Sequence, residues 1–230
     1  IKKKILTKKQ KNYLHNKLIF YKILGKKLPL KANGLSIDTR TIKKNNIFLA
    51  IKGRKTDGNI FVKEALRKGA GCIITSTSKA KNKKIVKVKN PILFLNHYAK
   101  LKREHTLAKI IAITGSTGKT SMKNLTKNLL QNFGNTYSSP KSFNNHLGVP
   151  ISLSNLNNED KFGVFEVGMS KAGEIKKLTK LIKPHIGIIT NIGEAHLENF
   201  KNIKGIAKAK SEIMENIVNG GTIILNRDDK

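Results

Sequence analysis

Ile110-Ile111-Ala112-Ile113-Thr114-Gly115-Ser116-Thr117-Gly118-Lys119-Thr120-Ser121 sets an apolar run directly against a glycine-rich turn that ends in Lys-Thr. Residues 110–114 read as a buried strand, and Met122, Leu125, Leu129 and Leu130 then recur at helical spacing. A strand, a glycine-rich turn and a helix in that order form the setting a phosphate-binding loop needs. Glycines let backbone N–H groups converge on phosphate oxygens, and the helix N-terminus adds a favourable dipole. Lys119 is placed to neutralise the β- and γ-phosphates, and the Thr120 hydroxyl to ligate Mg²⁺. The expected ATP-binding residues are therefore Gly115, Ser116, Thr117, Gly118, Lys119, Thr120 and Ser121. The general pattern asks for a glycine where Ile113 stands, so only a shorter Gly-x-x-Gly-Lys-Thr form is present.

Downstream, apolar runs alternate with segments of helical period. Residues 162–167 form the next strand candidate, and Ile175, Leu178, Leu181 and Ile182 make a helical stripe that Pro184 stops. Residues 186–190 read as a strand, 203–218 as a helix, and Thr222–Leu225 as a strand after Gly220-Gly221. Such β-α alternation implies an α/β fold with a mainly parallel sheet flanked by helices. Upstream lies a smaller α/β unit. Residues 47–51, Cys72–Thr75 and 84–88 are its strand candidates, and 62–68 its helix candidate. Residues 93–105 look like a connecting helix. The expected domains are thus 1–105 and 106–230, the second incomplete, because the chain starts at Ile1 and stops just after a strand. The first 30 residues are lysine-rich and carry little pattern, and no internal repeat is visible.

Composition narrows the class. The formal charge of +32 invites a nucleic-acid reading. Yet almost all of it is lysine spread along the chain, with arginine only at 40, 54, 67, 103 and 227. Lys, Asn and Ile all have A/T-rich codons, so base-composition drift explains the surplus without a polyanionic partner. Aromatic stacking platforms are also few. A single cysteine, Cys72, excludes an internal disulfide and a Cys-based zinc site. No apolar stretch approaches the roughly 20 residues of a membrane-spanning helix, and no secretory signal pattern opens the chain. A soluble protein of a reducing cytoplasm is expected, without nucleic acid and without membrane insertion.

In a parallel sheet, ligands bind at the carboxyl ends of the strands. The glycine-rich loop follows the first strand, Glu166 stands near the end of the second, and Asn191 and His196 follow the third. One edge thus gathers a phosphate cradle, a carboxylate and an imidazole. Mg²⁺ favours one or two carboxylates plus nucleotide phosphates, which suits Glu166; pairing of Glu166 with one of many lysines is the alternative. His196 alone is weak, and histidines 15, 97, 105, 146 and 185 have no comparable setting, His146 in a polar loop coming nearest. Lys210 falls on the apolar stripe Ile203, Ile206, Ile213, Met214 and Ile217. A bare ammonium is costly there unless it is paired, snorkels or loses its charge.

Together these residues resemble the Mur ligase family, the ATP-dependent amide-forming enzymes of peptidoglycan synthesis. The likeness rests on Thr114-Gly115-Ser116-Thr117-Gly118-Lys119-Thr120, on Glu166-Val167-Gly168, on Thr190-Asn191-Ile192-Gly193-Glu194-Ala195-His196-Leu197-Glu198, and on Ala209-Lys210-Ser211-Glu212-Ile213. The family's shorter phosphate loop accommodates Ile113. Asp38-Thr39-Arg40, residues 47–53 and Thr56-Asp57-Gly58 resemble the UDP-substrate domain of two members, which add the third amino acid and the D-alanyl-D-alanine dipeptide. Ser142-Phe143-Asn144-Asn145-His146-Leu147-Gly148-Val149-Pro150 and Gly168-Met169-Ser170-Lys171-Ala172-Gly173-Glu174-Ile175 favour the dipeptide-adding enzyme. The likeness covers residues from about 35 to 229.

The resemblance implies residue roles. Lys119 and Thr120 handle phosphates and the first Mg²⁺, with Glu166 also on metal; His196 helps hold a second Mg²⁺. Lys210 matches the position carbamylated in the family, so the expected catalytic set is Lys119, His196 and Lys210. Thr120, Glu166, His196 and carbamylated Lys210 would be the metal ligands. Asp38, Thr39, Arg40, Asn144 and Asn145 are expected to bind substrate. The implied reaction is a two-step, ADP-forming ligation: an acyl phosphate forms on UDP-N-acetylmuramoyl-tripeptide, and the D-alanyl-D-alanine amine displaces phosphate. A bacterial, cytoplasmic monomer is expected. The third-residue-adding ligase, a folate-polyglutamate-type ligase and a basic nucleic-acid-binding ATPase remain as alternatives. The family's C-terminal domain, which closes over the nucleotide, is absent from this chain, so ATP binding without turnover is expected.

Overall fold

The computed structural model describes residues 7–29, 32–53, 56–77, 82–195 and 197–229. They form two compact units, Ile1–Lys102 and Arg103–Lys230. Among the described residues no helix is long and apolar enough to cross a membrane.

In the first unit, α1 (Lys8–Leu24) starts at a capping box. Thr7 Oγ1 accepts from the Gln10 amide at 3.3 Å, and Gln10 Oε1 accepts from the Thr7 amide at 2.8 Å. Gly25 ends the helix in the left-handed region (φ 63°). Lys11 and Lys22 are exposed and Lys17 half-buried, while Ile19 and Phe20 are fully buried. There follow β1 (Leu35–Ser36), β2 (Ile47–Ala50), a 3₁₀ turn (Gly58–Phe61), α2 (Val62–Arg67), β3 (Cys72–Thr75), β4 (Ile85–Lys87) and α3 (Pro91–His105), whose last three residues fall in the second unit. The strands pair in parallel in the order β1-β2-β3-β4. Every residue of β2 and β3 is buried, as strands covered on both faces must be. Phe48, Ala50, Ala65, Ala70 and Ile73 make one core cluster of this unit.

The second unit runs β5 (Lys109–Thr114), α4 (Lys119–Leu130), β6 (Thr136–Ser138), α5 (Gly148–Ser154) and β7 (Phe162–Glu166). It continues through α6 (Glu174–Ile182), β8 (Ile186–Ile189), α7 (Ile203–Ser211) and β9 (Thr222–Leu225). All five strands are parallel, in the order β6-β7-β5-β8-β9. The chain leaves β5 toward one edge, and after β7 it crosses back to β8 on the other side. Such a reversal opens a crevice at the carboxyl ends of the central strands. The phosphate loop stands at that point.

Three sequence expectations change. Leu125 and Leu129 of α4 are 55% and 57% exposed, while Lys123 is the buried residue of that helix. Met122 and Leu130 alone pack against Ile111, Ile113, Val164 and Ile188. The segment 203–218 is not one helix: after Ser211 it tightens into a 3₁₀ turn, Glu212–Asn216, which keeps Ile213 buried and leaves Met214 40% exposed. β6 and α5 went unseen because both are short, and α5 is buried on every side, its two serines included, so it shows no polar face.

Candidate nucleotide and metal site

Gly115 has φ 152°, and a Cβ there would stand 1.8 Å from Thr190 Oγ1. Only glycine fits. Gly118, at φ 75°, is the N-cap of α4. Between them the loop is tied to the segment after β8. The Ser116 amide donates to the Asn191 carbonyl (3.0 Å), and Ser116 Oγ exchanges bonds with the Gly193 carbonyl and amide (2.9 and 2.8 Å). Asn191 Oδ1 accepts from the Thr117 amide at 2.9 Å, and its Nδ2 donates to Thr117 Oγ1 at 2.5 Å. Thr190 Oγ1 donates to the Thr117 carbonyl at 2.6 Å. Helix N-termini leave their first N–H groups without intrahelical partners. The amides of Gly118, Lys119 and Thr120 accordingly have no protein partner among the described residues. Lys119 Nζ folds back to donate to the Gly115 and Ser116 carbonyls (2.6 and 3.1 Å), and desolvation lowers its pKa while Glu166 opposes the shift.

Beside this cradle lies Glu166, 2% exposed. Its Oε2 accepts from Thr120 Oγ1 at 2.8 Å and its Oε1 from Asn144 Nδ2 at 2.8 Å, while its amide donates to Ser139 Oγ at 3.2 Å. Lys123 Nζ is 3.6 Å from Oε2. Of the two sequence alternatives for Glu166, the lysine pairing is present, and the same carboxylate oxygen also faces the loop's threonine. These oxygen donors have the chemistry Mg²⁺ prefers, completed by phosphate and water. Among the described residues no group of three or more His, Cys, Asp or Glu could hold a metal on its own.

Lys210 is 2% exposed, and its ammonium has no hydrogen-bond or ion-pair partner among the described residues. Desolvation, aided by repulsion from Lys119, brings its pKa down to about 8. Two residues on, Glu212 turns away from the site. Its carboxylate accepts from the Gly173 amide (2.6 Å) and the Lys176 amide (3.0 Å), capping α6. Asn145 Oδ1 accepts from the amides of Leu147 and Gly148 (3.1 and 2.9 Å) and so opens α5 rather than facing the carboxylate. His196 lies outside the described residues. Ser121 is exposed on the first turn of α4.

Asp38, Thr39 and Arg40 belong to the first unit. Asp38 Oδ2 accepts from Arg40 Nη2 at 2.7 Å, an exposed bond that raises the Arg40 pKa. Thr39 points inward: its Oγ1 donates to Glu64 Oε2 (3.0 Å) and its carbonyl accepts from Lys68 Nζ (2.9 Å). Sequence reasoning did not assign the loop-fastening roles of Thr190 and Asn191, nor Lys123, Ser139 and the Asp229 carboxylate that accepts from the Ile192 amide. Local period carries no signal for bonds between distant loops. Lys123 had one: it sits one helical turn after Thr120.

Residues 113–230 match the Mur ligase middle domain, and residues 31–110 match the Mur ligase family catalytic domain. The chain is similar to the UDP-N-acetylmuramoyl-tripeptide–D-alanyl-D-alanine ligase of Buchnera aphidicola, at 41% identity over 199 residues, covering 86% of this chain and 44% of that protein. The Escherichia coli enzyme of the same name is 34% identical over 197 residues, with the same coverage. Among solved structures, MurF from Acinetobacter baumannii superposes with a TM-score of 0.76 at 33% identity, covering 86% of this chain and 44% of that one. MurF from Thermotoga maritima, in complex with ADP, gives 0.71 at 30% identity, covering 86% and 46%. The chain thus spans less than half the length of these relatives. With the middle-domain match covering more than half of the chain, residues 113–230, the chain belongs to the Mur ligase family.

Proposed function

We propose that this chain supplies the nucleotide-handling part of an ATP-dependent, ADP-forming ligase that joins D-alanyl-D-alanine to UDP-N-acetylmuramoyl-tripeptide in peptidoglycan precursor synthesis. The observation that carries the reading is the 2.8 Å bond between Thr120 Oγ1 and Glu166 Oε2 beside the open amides of Gly118, Lys119 and Thr120. A hydroxyl, a carboxylate and a phosphate cradle meet in one place. The names of the relatives quoted above support the choice of substrates.

The open amides and the α4 N-terminus hold the phosphates. Lys119 exchanges its own loop carbonyls for the β- and γ-phosphate oxygens. Thr120 and Glu166 would hold Mg²⁺, which when bound would offset the repulsion between a polyphosphate and an incoming carboxylate. That carboxylate bonds to the γ-phosphorus as ADP leaves; the dipeptide amine then bonds to the acyl carbon as inorganic phosphate leaves and its proton passes to solvent. The buried, unpaired Lys210 suits carbamylation: the neutral amine adds to CO₂, forming an N–C bond and a carboxylate and releasing one proton. The product would turn the repulsion with Lys119 into an attraction and would offer an oxygen ligand to a second Mg²⁺, the ion that His196 is also proposed to hold. Asn144 serves substrate and metal by fixing Glu166, and the exposed Asp38–Arg40 pair takes part in UDP-substrate binding. UDP-linked precursor and ATP set the reaction in the bacterial cytoplasm.

The test is phosphate release by the complete protein with ATP, the UDP-tripeptide and D-alanyl-D-alanine, against diaminopimelate or lysine as the amine. Release is expected only with the dipeptide, and Lys119→Ala is expected to abolish it. Wild-type turnover by Lys119→Ala would sink the assignment of the loop.

A further inference from the structure

Lys123 is 2% exposed and is the buried residue of α4, whereas Leu125 and Leu129 of the same helix face outward. An ammonium in place of an apolar side chain costs stability unless its partners repay it. Those partners are specific. Lys123 Nζ donates to the Lys141 carbonyl and stands 3.6 Å from Glu166 Oε2. Lys141 is held at φ 45°, a left-handed conformation that a lysine adopts at a cost of about 1 kcal/mol. The strained residue is the one whose carbonyl Lys123 engages.

The loop that follows is built around Glu166. Ser139 Oγ accepts from the Glu166 amide (3.2 Å), Asn144 Nδ2 donates to Glu166 Oε1 (2.8 Å), and the Asn144 carbonyl accepts from the Gly168 amide (2.8 Å). A Cβ on Gly168 would stand 2.9 Å from Asn144 Cγ, so the Asn144 side chain packs directly on the Gly168 backbone. Lys123 touches this loop at Lys141 and the carboxylate at Oε2, from a helix that also brings Thr120 to the same oxygen.

We propose that Lys123 is a positioning residue. Its ammonium fastens the Lys141 carbonyl, which sets the loop that aims Asn144 at Glu166. Its charge draws Oε2 to the α4 side, so the carboxylate faces Thr120 in one orientation. The inference rests on Glu166 and Thr120 being the divalent-cation ligands. A lysine that merely filled the core would affect folding alone and would leave metal affinity untouched.

The experiment uses the complete protein with Lys123→Met, Lys123→Gln and Lys123→Arg. Mn²⁺ is titrated in the presence of a non-hydrolysable ATP analogue, and binding of the same analogue is measured separately in EDTA. In Lys123→Met the half-saturating Mn²⁺ is expected to rise by roughly 10-fold or more, the usual effect of losing a residue that orients a ligand. Metal-free nucleotide affinity is expected to change less than about twofold. Lys123→Arg, which keeps donor and charge, is expected to recover part of the loss. Lys123→Gln keeps a donor without the charge, and it carries the test if the methionine variant does not fold. An unchanged Mn²⁺ midpoint in the folded Met or Gln variant overturns the proposal, as does an equal loss of metal-free nucleotide binding. Glu166→Gln is the control. If it too leaves the Mn²⁺ midpoint unchanged, the metal reading of Glu166 has failed, and Lys123's role with it; if it shifts the midpoint and the Lys123 variants do not, only the role of Lys123 is refuted.

Discussion

Asn191 grips Thr117 twice, with Oδ1 accepting from its amide at 2.9 Å and Nδ2 donating to its hydroxyl at 2.5 Å. The amide side chain thereby occupies one of the phosphate loop's own donors. It leaves the turn shaped by the neighbouring strand's loop.

Removing that grip weakens nucleotide binding without touching a phosphate ligand. Asn191→Ala loses two bonds worth about 1 kcal/mol each, so affinity for ATP or ADP is expected to fall by roughly 10-fold or more. Calorimetric titration of the complete protein checks this. Affinity within twofold of wild type would show that the loop keeps its shape unaided.

Gly115→Ala attacks the same junction sterically. Its Cβ would overlap Thr190 Oγ1 at 1.8 Å, and φ 152° is unfavourable for any side chain. A loss of about 2–4 kcal/mol is expected in urea denaturation. Adding Thr190→Ala removes the overlapping oxygen but not the backbone strain, so it should restore only part of the loss.

Lys210 makes stability depend on pH. Its folded pKa, about 8, lies below the ordinary 10.5, so between these values the unfolded chain binds more protons. The cost of burying the ammonium is then fully present below pH 8 and fades as pH rises toward 10.5. In CO₂-free buffer the thermal midpoint is expected to reflect a rising contribution from Lys210 across that window. Lys210→Met should remove this contribution and stabilise the fold at pH 7 by about 1–3 kcal/mol. A variant less stable than wild type at pH 7 would contradict the buried-charge account.

Glu212 offers a control close in sequence and different in kind. Glu212→Ala removes the cap on Gly173 and Lys176, which is expected to cost about 1–2 kcal/mol of stability. Glu212→Gln should recover part of that, since an amide oxygen still accepts from those N–H groups. Chemical denaturation of the three proteins distinguishes these outcomes.

Much of this was legible in the linear chain, and the limits have physical causes. The run from Ile110 to Thr114 could only be a covered strand, and a glycine-rich turn after it could only stand at the sheet's carboxyl edge. Glu166 was visible from its place at a strand's carboxyl end, and Lys210 as a charge on an apolar stripe. Lys123 was not, because Met122, Leu125, Leu129 and Leu130 make a plausible stripe that places it on the wrong face; packing against β7 and the Lys141 loop reverses that choice. Asn191 was noticed for its place on the edge, but its grip on Thr117 links residues 74 positions apart. No local period encodes such a bond. In α1, the apolar Ile19 and Phe20 were hidden in sequence by the many lysines around them.

The ties from Ser116 and Thr117 to residues 190–193 also have a kinetic consequence. A turn whose ordering entropy is spent during folding has none left to lose at encounter. Nucleotide capture should therefore proceed in one second-order phase, accelerated by the surrounding lysines and slowed by salt. Differences among nucleotides should then reside in how slowly each departs.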